Sequence, residues 1–314
     1  MTELRFDGRT AIVTGAGGNP SLGRCYALLL ASRGANVVVN DIGRPLEVPT
    51  YEDVASPVAV VEEIRALGGS AVPDDNSVAS EQGATALIRT ALDAFGSVDI
   101  LVNNAALCIL APFDVMTSAH YQRIVETNLM GPVWTSRAAW PHMKANGYGR
   151  IVNIGAAVFG GTRLMSAYGV SKGGLFLLSQ SLAVEGHAHG IKANTVNPIG
   201  FSRMVPALQN ESSVLFRQLQ QNFPPELTAP LVAFLAHESC PVSGECFDTG
   251  GGHVNRTLIA RNDGFTDREQ TIETLAARWQ ELMDPTSAKI LPASNVDSQE
   301  WDVRPYTPRG VADA

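Results

Sequence analysis

The sequence predicts an α/β fold: a doubly wound parallel sheet with helices on both faces, built as a single domain with a C-terminal extension. Three observations predict it. Short apolar runs alternate with amphipathic stretches as far as about residue 250, the pattern of strands joined by crossover helices. The runs are continuously apolar, as strands covered on both faces are. A glycine-rich turn joins the first run to the first helix.

Taken in order, residues 10–14 form a strand that ends in glycine, and 22–33 a helix rich in Leu and Ala, closed by Gly34. The β-branched run 36–40 is a buried strand. Residues 43–56 read as a loop insertion. An amphipathic helix over 57–67 stops at Gly68-Gly69, and 71–72 is a short strand. Ser80 caps a helix that runs to Phe95. A buried strand over 99–103 precedes a long helical stretch over 118–144, which Pro132 kinks or breaks. Strands over 150–154, 191–196 and 246–248 alternate with helices over 166–187 and 227–236. From Asn255 the alternation stops. One amphipathic helix over 267–283 and a tail containing Pro and Asp follow. The division is therefore a dinucleotide-binding domain over 1–254 and a C-terminal appendage over 255–314.

Composition narrows the function. Of the 314 residues, 45% are hydrophobic and 17% charged, enough apolar material for a sizeable core. A net charge of -8 without a basic cluster argues against nucleic acid, whose phosphates need Lys and Arg, and against anionic membranes. No uncharged apolar run is long enough for a transmembrane helix, and the N-terminus lacks the pattern of a signal peptide. Cys25, Cys108, Cys240 and Cys246 have neither CxxC nor zinc spacing, so reduced cysteines in a cytoplasmic protein and no metal site are expected.

The turn Thr14-Gly15-Ala16-Gly17-Gly18-Asn19-Pro20-Ser21-Leu22-Gly23 lies where a Rossmann-type sheet places a dinucleotide pyrophosphate. Glycines let backbone approach the phosphates, and the helix N-terminus supplies free N–H groups. Asp41 ends the second strand about 20 residues on, where a carboxylate bonds both ribose hydroxyls. It repels a 2′-phosphate, so NAD is favoured over NADP, although Arg44 nearby keeps NADP open. Tyr168 and Lys172 are one helical turn apart on one face. A phenol titrates near 10, and a neighbouring ammonium lowers that value. Such a tyrosine can take a proton from an alcohol or return it to a ketone.

With these motifs in order, and Asn103-Asn104-Ala105-Ala106, Asn128 and Asn197-Pro198-Ile199-Gly200 between and after them, the chain resembles the short-chain dehydrogenase/reductase family over roughly 6–254. Within it, the insertion after Asp41, Ala138-Ala139-Trp140-Pro141-His142-Met143-Lys144, Ser202-Arg203-Met204, Ala229-Pro230-Leu231 and His237-Glu238-Ser239-Cys240 are similar to the (3R)-hydroxyacyl-CoA dehydrogenase part of peroxisomal multifunctional enzymes of type 2 and to bacterial 17β-hydroxysteroid dehydrogenases. The resemblance implies an NAD-dependent alcohol–ketone oxidoreductase, a homodimer or homotetramer acting on a small-molecule substrate. Tyr168 is then the acid/base, Lys172 binds the nicotinamide ribose and lowers the tyrosine pKa, and Asn128 holds a water in a proton relay. The cofactor would meet Gly15, Asn19, Ser21, Leu22, Gly23, Asp41, Asn76, Ser77, Asn104, Ala105, Tyr168, Lys172, Pro198 and Gly200. Ala156, Phe159, Thr162 and Phe201 would line the substrate pocket, within segments 156–164 and 201–206 and the appendage.

The sequence departs from the family at four places. Asn19-Pro20-Ser21 replaces one glycine of the turn. Ala106 stands where glycine is usual, and Asn76 where an adenine-side Asp is usual. The catalytic serine has no counterpart: the strand aligns Ala156 with it, while counting back from Tyr168 gives Gly155. One such donor is worth about 10²–10³ in rate. Thr162, Ser166, Asn153 or a backbone N–H could substitute. Otherwise the enzyme is slow on ordinary alcohols but adequate on an activated ketone, or the protein reduces an activated double bond, performs a non-redox elimination, or binds NAD without turnover. Cys108, next to the Asn103-Asn104 stretch, reads as pocket packing, and His187 and His189 as helix-end residues.

Overall fold

The computed structural model describes residues 2–43, 56–208 and 210–293. Arg44, most of the 43–56 insertion and the tail from 294 lie outside the described residues. An eight-stranded sheet in the order β3-β2-β1-β4-β5-β6-β7-β8 forms the body, parallel throughout except for β8. Its strands are β1 (Thr10–Thr14), β2 (Asn36–Asn40), β3 (Ser70–Asp74), β4 (Ile100–Asn103), β5 (Gly149–Ile154), β6 (Ile191–Ile199), β7 (Cys246–Gly250) and β8 (His253–Thr257).

The β-branched and Leu-rich strands show why both faces are covered. In β1, Ala11 and Val13 pack with α1 (Leu22–Ser32), α2 (Pro57–Ala66) and α9 (Ala229–Ala236). Ile12 points the other way, onto α3 (Glu81–Phe95) and α5 (Gly131–Asn146), because successive strand residues face opposite sides. α6 (Ser166–Gly186) completes that second layer through Leu182. Helix caps follow the expected chemistry: the Ser80 hydroxyl accepts from Gly83 N–H at 3.1 Å at the start of α3.

Four local outcomes differ from the sequence reading. The long helical stretch is α4 (Ser118–Val125), a π-helical turn (Glu126–Met130) and α5. The irregularity falls one turn before Pro132, which sits in the first turn of α5, where its missing N–H is harmless. Pro141 lies inside α5. Two helices, α7 (Met204–Leu208) and α8 (Val214–Asn222), follow β6 where none is predicted. Gly250-Gly251-Gly252 turns the chain into β8, which returns antiparallel on β7, so residue 254 lies within a strand of the sheet. The predicted appendage helix is two shorter ones, α10 (Ile272–Ala277) and α11 (Trp279–Met283), beside a small ladder of β9 (Ala260–Arg261) and β10 (Lys289–Ile290). Pro73 sits in β3, an edge strand, where a missing donor is tolerated.

Candidate active site

The order of the sheet reverses between β1, which continues to β2, and β4, which continues to β5. Doubly wound sheets bind ligands at the carboxyl ends of the strands flanking such a point. A cleft of about 770 Å³ opens there. Gly15, Ser21, Leu22 and Asp41 line it from the first βαβ unit, Ser77 from the loop after the edge strand β3, Asn104 and Ala105 from the loop after β4, and Tyr168, Lys172, Pro198 and Gly200 from α6 and from β6 and the residue after it. The structure therefore brings the glycine turn, the ribose-side acid and the Tyr/Lys pair into one cavity.

The turn needs its glycines for close approach. Gly15 has φ +63°, and a Cβ on it would lie 2.7 Å from the Ala105 Cα. The Asn104 side chain donates to Thr14 O at 2.8 Å and Gly15 O at 3.0 Å, tying β4 to the turn. Thr14 Oγ1 accepts from the N–H groups of Asn104 and Ala105 at 2.9 and 3.0 Å. Ser21 caps α1 through a 3.5 Å contact from Arg24 N–H. Gly23 packs behind the turn against Asn104 and Gly15, and Asn19 with cis Pro20 is exposed beside it, so neither lines the cleft. Gly17 N–H donates to Asp41 Oδ2 at 3.1 Å, fixing the buried carboxylate at the end of β2.

Asn76 is drawn away from the cleft by Asp74. That buried carboxylate accepts from Asn76 Nδ2 at 2.8 Å, Asn40 Nδ2 at 2.7 Å and Thr90 Oγ1 at 2.7 Å. Ser77 and Val78 line the wall instead.

At the other end Lys172 is only 3% exposed. Burial pulls its pKa down from 10.5 to about 8, because a dry environment penalises the ammonium. Its Nζ donates to Ile154 O at 2.6 Å and lies 5.7 Å from the centre of the Tyr168 ring. Asn128 sits in the π-helical turn, wholly buried, and does not line the cleft. Its amide brackets Leu107, accepting from N–H at 2.9 Å and donating to C=O at 2.8 Å, and also donates to Ser171 Oγ at 3.3 Å. Ser171 Oγ in turn bonds Tyr168 O at 2.8 Å. Cys108 is buried outside the cleft lining, and desolvation pushes its thiol up to about 12.

The substrate-pocket candidates do not converge on the cleft. Phe159 is half-exposed and packs edge-on against Phe176, and Phe201 against Phe216. Ala156 and Thr162 lie on the loop between β5 and α6, outside the lining. Gly155 lines the cleft, with its N–H donated to Val196 O at 2.8 Å. Arg123 and Glu126 near the π-helical turn, not singled out in the sequence, also line it, as do Arg203 and Met204 after β6. Arg203 lies in a segment expected at the pocket, but nothing local marks its partner, Asp41, 162 positions away.

These residues suit a nicotinamide dinucleotide. The turn has no room for a Cβ at Gly15, a capped helix starts behind it, and a buried carboxylate stands at the end of β2. The fold and cleft define a nucleotide-binding dehydrogenase scaffold. The sequence model of the short chain dehydrogenases matches residues 9–212, and the chain belongs to that family of oxidoreductases, whose members use NAD or NADP. It is 39% identical over 285 residues to a putative short-chain type dehydrogenase/reductase, Rv0148, of Mycobacterium tuberculosis, covering 90% of this chain and 96% of that one. It is 37% identical over 288 residues to the peroxisomal hydratase-dehydrogenase-epimerase of Saccharomyces cerevisiae, covering 90% of this chain but only 31% of the yeast protein. The full-length peroxisomal multifunctional enzyme type 2 of Drosophila melanogaster superposes with a TM-score of 0.74 at 31% identity, over 92% of this chain and 48% of the fly protein. The chain thus spans a third to a half of those two multifunctional proteins.

Proposed function

We propose that this protein is an NAD-dependent dehydrogenase that interconverts a secondary alcohol and a ketone, with a hydroxyacyl-CoA or a hydroxysteroid as substrate. The observation that carries it is the convergence of Tyr168 and Lys172 with the glycine turn and Asp41 in one cleft. When bound, the nicotinamide supplies the hydride acceptor or donor. The chain's own residues handle the proton and the binding. Tyr168 takes the proton from the alcohol oxygen or returns it. Lys172, already beside the phenol, holds positive charge there and leaves Ile154 O to bond the nicotinamide ribose. Asp41 takes the adenosine ribose hydroxyls, which favours NAD. Asn128 acts behind Tyr168, through Ser171, as a positioning residue. The dehydrogenase in the yeast relative's name and the likeness to the fly enzyme support the substrate class.

The test is the NADH absorbance band during incubation with chain-length series of 3-hydroxyacyl-CoA thioesters and with hydroxysteroids. Turnover that changes the band and disappears in Tyr168→Phe is expected. Product formation with a constant band would favour the second reading, a non-redox elimination or other chemistry on this scaffold, which the lack of a hydroxyl at Gly155 and Ala156 supports. NAD binding with no product on any substrate would mark a non-catalytic member.

We also propose a homodimer or homotetramer in the cytoplasm. Exposed Val170, Leu177 and Val184 recur every seventh position along α6, a face suited to a second copy, and light scattering would count the subunits. The four cysteines are buried and unpaired, which fits a reducing compartment. No helix among the described residues is long and apolar enough to cross a membrane.

A further inference from the structure

We propose that Arg203 is a clamp for the pyrophosphate of the dinucleotide, held ready on Asp41 until the cofactor arrives. The proposal rests on the reading of the cleft as an NAD site.

Arg203 lies in the short link between β6 and α7, and its backbone N–H donates to Pro20 O at 3.0 Å. This bond fastens the link to the inserted part of the glycine turn. From there the side chain crosses Gly18: a Cβ on Gly18 would lie 2.7 Å from Arg203 Nε and 3.1 Å from Cδ and Cζ. The guanidinium thus packs over the bare backbone of Gly18. The fork ends with Nη2 3.4 Å from Asp41 Oδ2, the oxygen that also accepts from Gly17 N–H.

A dinucleotide in the cleft competes with Arg203 for Asp41. Asp41 is the carboxylate available to the ribose hydroxyls, and it lines the cleft together with Arg203. A partly exposed ion pair at 3.4 Å is weak. The pyrophosphate that enters with the ribose offers the guanidinium a stronger partner, because its planar fork matches phosphate oxygens two at a time. Of the cations that line the cleft among the described residues, Lys172 is bonded to Ile154 O beside Tyr168 and Arg123 belongs to α4, whereas Arg203 is attached to the phosphate turn itself. The exchange is of partners only. Asp41 releases the guanidinium and accepts two hydroxyl donors, Arg203 takes the phosphate, and no covalent bond or proton moves. Binding thereby anchors the link between β6 and α7, which borders the cleft through Ser202 and Met204.

Dissociation constants for ADP-ribose, NADH and adenosine, measured by titration calorimetry on the full chain, test this. Arg203→Met is expected to weaken ADP-ribose and NADH about 10- to 100-fold, the loss typical of a charge-assisted contact. Adenosine, which has the ribose but no phosphate, should bind within about 3-fold of wild type or more tightly, because Asp41 is released. The salt dependence of ADP-ribose binding should flatten in the variant. Arg203→Gln, which keeps a polar side chain without charge, should show the same pattern and decides the matter where the Met variant does not fold. Unchanged ADP-ribose affinity in a folded variant overturns the clamp alone. Parallel losses for adenosine and ADP-ribose overturn it too, since they mark a structural role. A wild type that binds neither ADP-ribose nor NADH overturns the cofactor reading itself.

Discussion

The side-chain carbonyl of Asn197 occupies the space over the Cα of Gly155. A Cβ built there would press into Asn197 Oδ1 closer than real contacts allow and would meet Thr195 Cγ2 at 3.0 Å. Asn197 is wholly buried and cannot turn aside, because its Nδ2 donates to Asp248 Oδ1 at 2.7 Å and to Cys246 Sγ at 3.2 Å. Of the two positions that align with the family serine, one can therefore hold only glycine. Gly155→Ser should lower stability by about 1–3 kcal/mol through overpacking and bring no gain in turnover. Ala156→Ser should fold normally and leave kcat unchanged, because Ala156 lies outside the cleft lining. Equal melting temperatures for Gly155→Ser and wild type would contradict the packing argument.

Tyr168→Phe removes the proposed proton carrier and leaves the cleft's shape. A loss of about 10²–10⁴ in kcat is expected, with NADH affinity within about 3-fold of wild type. A turnover rate that survives the change would mean another group moves the proton.

Lys172 gives a stability test with a definite sign. Its pKa is about 8 in the folded chain and 10.5 as the ordinary value, so burial of the ammonium penalises the fold below pH 8. Between those values the unfolded chain keeps a proton that the folded one has lost, and stability rises with pH. Above both, the penalty is gone. Lys172→Met should therefore stabilise the cofactor-free protein at neutral pH by about 1–3 kcal/mol, after allowing for the lost bond to Ile154 O, while losing activity. Thermal melts at stepped pH should show the gap closing as pH climbs from 8 towards 10.5. A gap that widens would refute the sign.

Asp41 is expected to select the cofactor. Asp41→Asn should weaken NADH and improve NADPH, shifting the ratio of their dissociation constants about 10-fold or more. An identical change for both cofactors would assign Asp41 to holding Gly17 and Arg203 rather than to selection.

Asn128→Ala strands the N–H and C=O of Leu107 in a dry interior. Each unpaired group costs about 1–3 kcal/mol, so a large drop in melting temperature is the expected result. Loss of activity without loss of stability would restore the proton relay as the role of Asn128.

Local chemistry made much of the fold legible. β1 and β2 span the residues that their apolar runs predict, and Ser80 caps α3 as its side chain requires. The glycine turn, Asp41, Tyr168 and Lys172 were recognisable because each combines a residue type with a fixed place after a strand or along a helix. What escaped was set by long-range partners. Asn76 looks like a cleft residue until Asp74 is seen to take its amide. Arg203 gains its position from Pro20, Gly18 and Asp41, all distant in sequence. β8 reads as the end of the alternation because every residue but Thr257 is exposed, and an edge strand has no buried periodicity to announce it.

The two borders of the sheet carry a consequence for how the protein behaves when crowded. At one border β3 presents Pro73, which has no N–H to offer an incoming strand. At the other, β8 carries His253 and Arg256, the latter held by a bidentate pair with Glu245. Charged and donor-poor borders discourage a foreign strand from extending the ladder. A sheet whose inner strands are largely apolar is thus shielded from fibre-like stacking at both open edges, and recovery of native protein after concentration should depend on its helical faces rather than on strand addition.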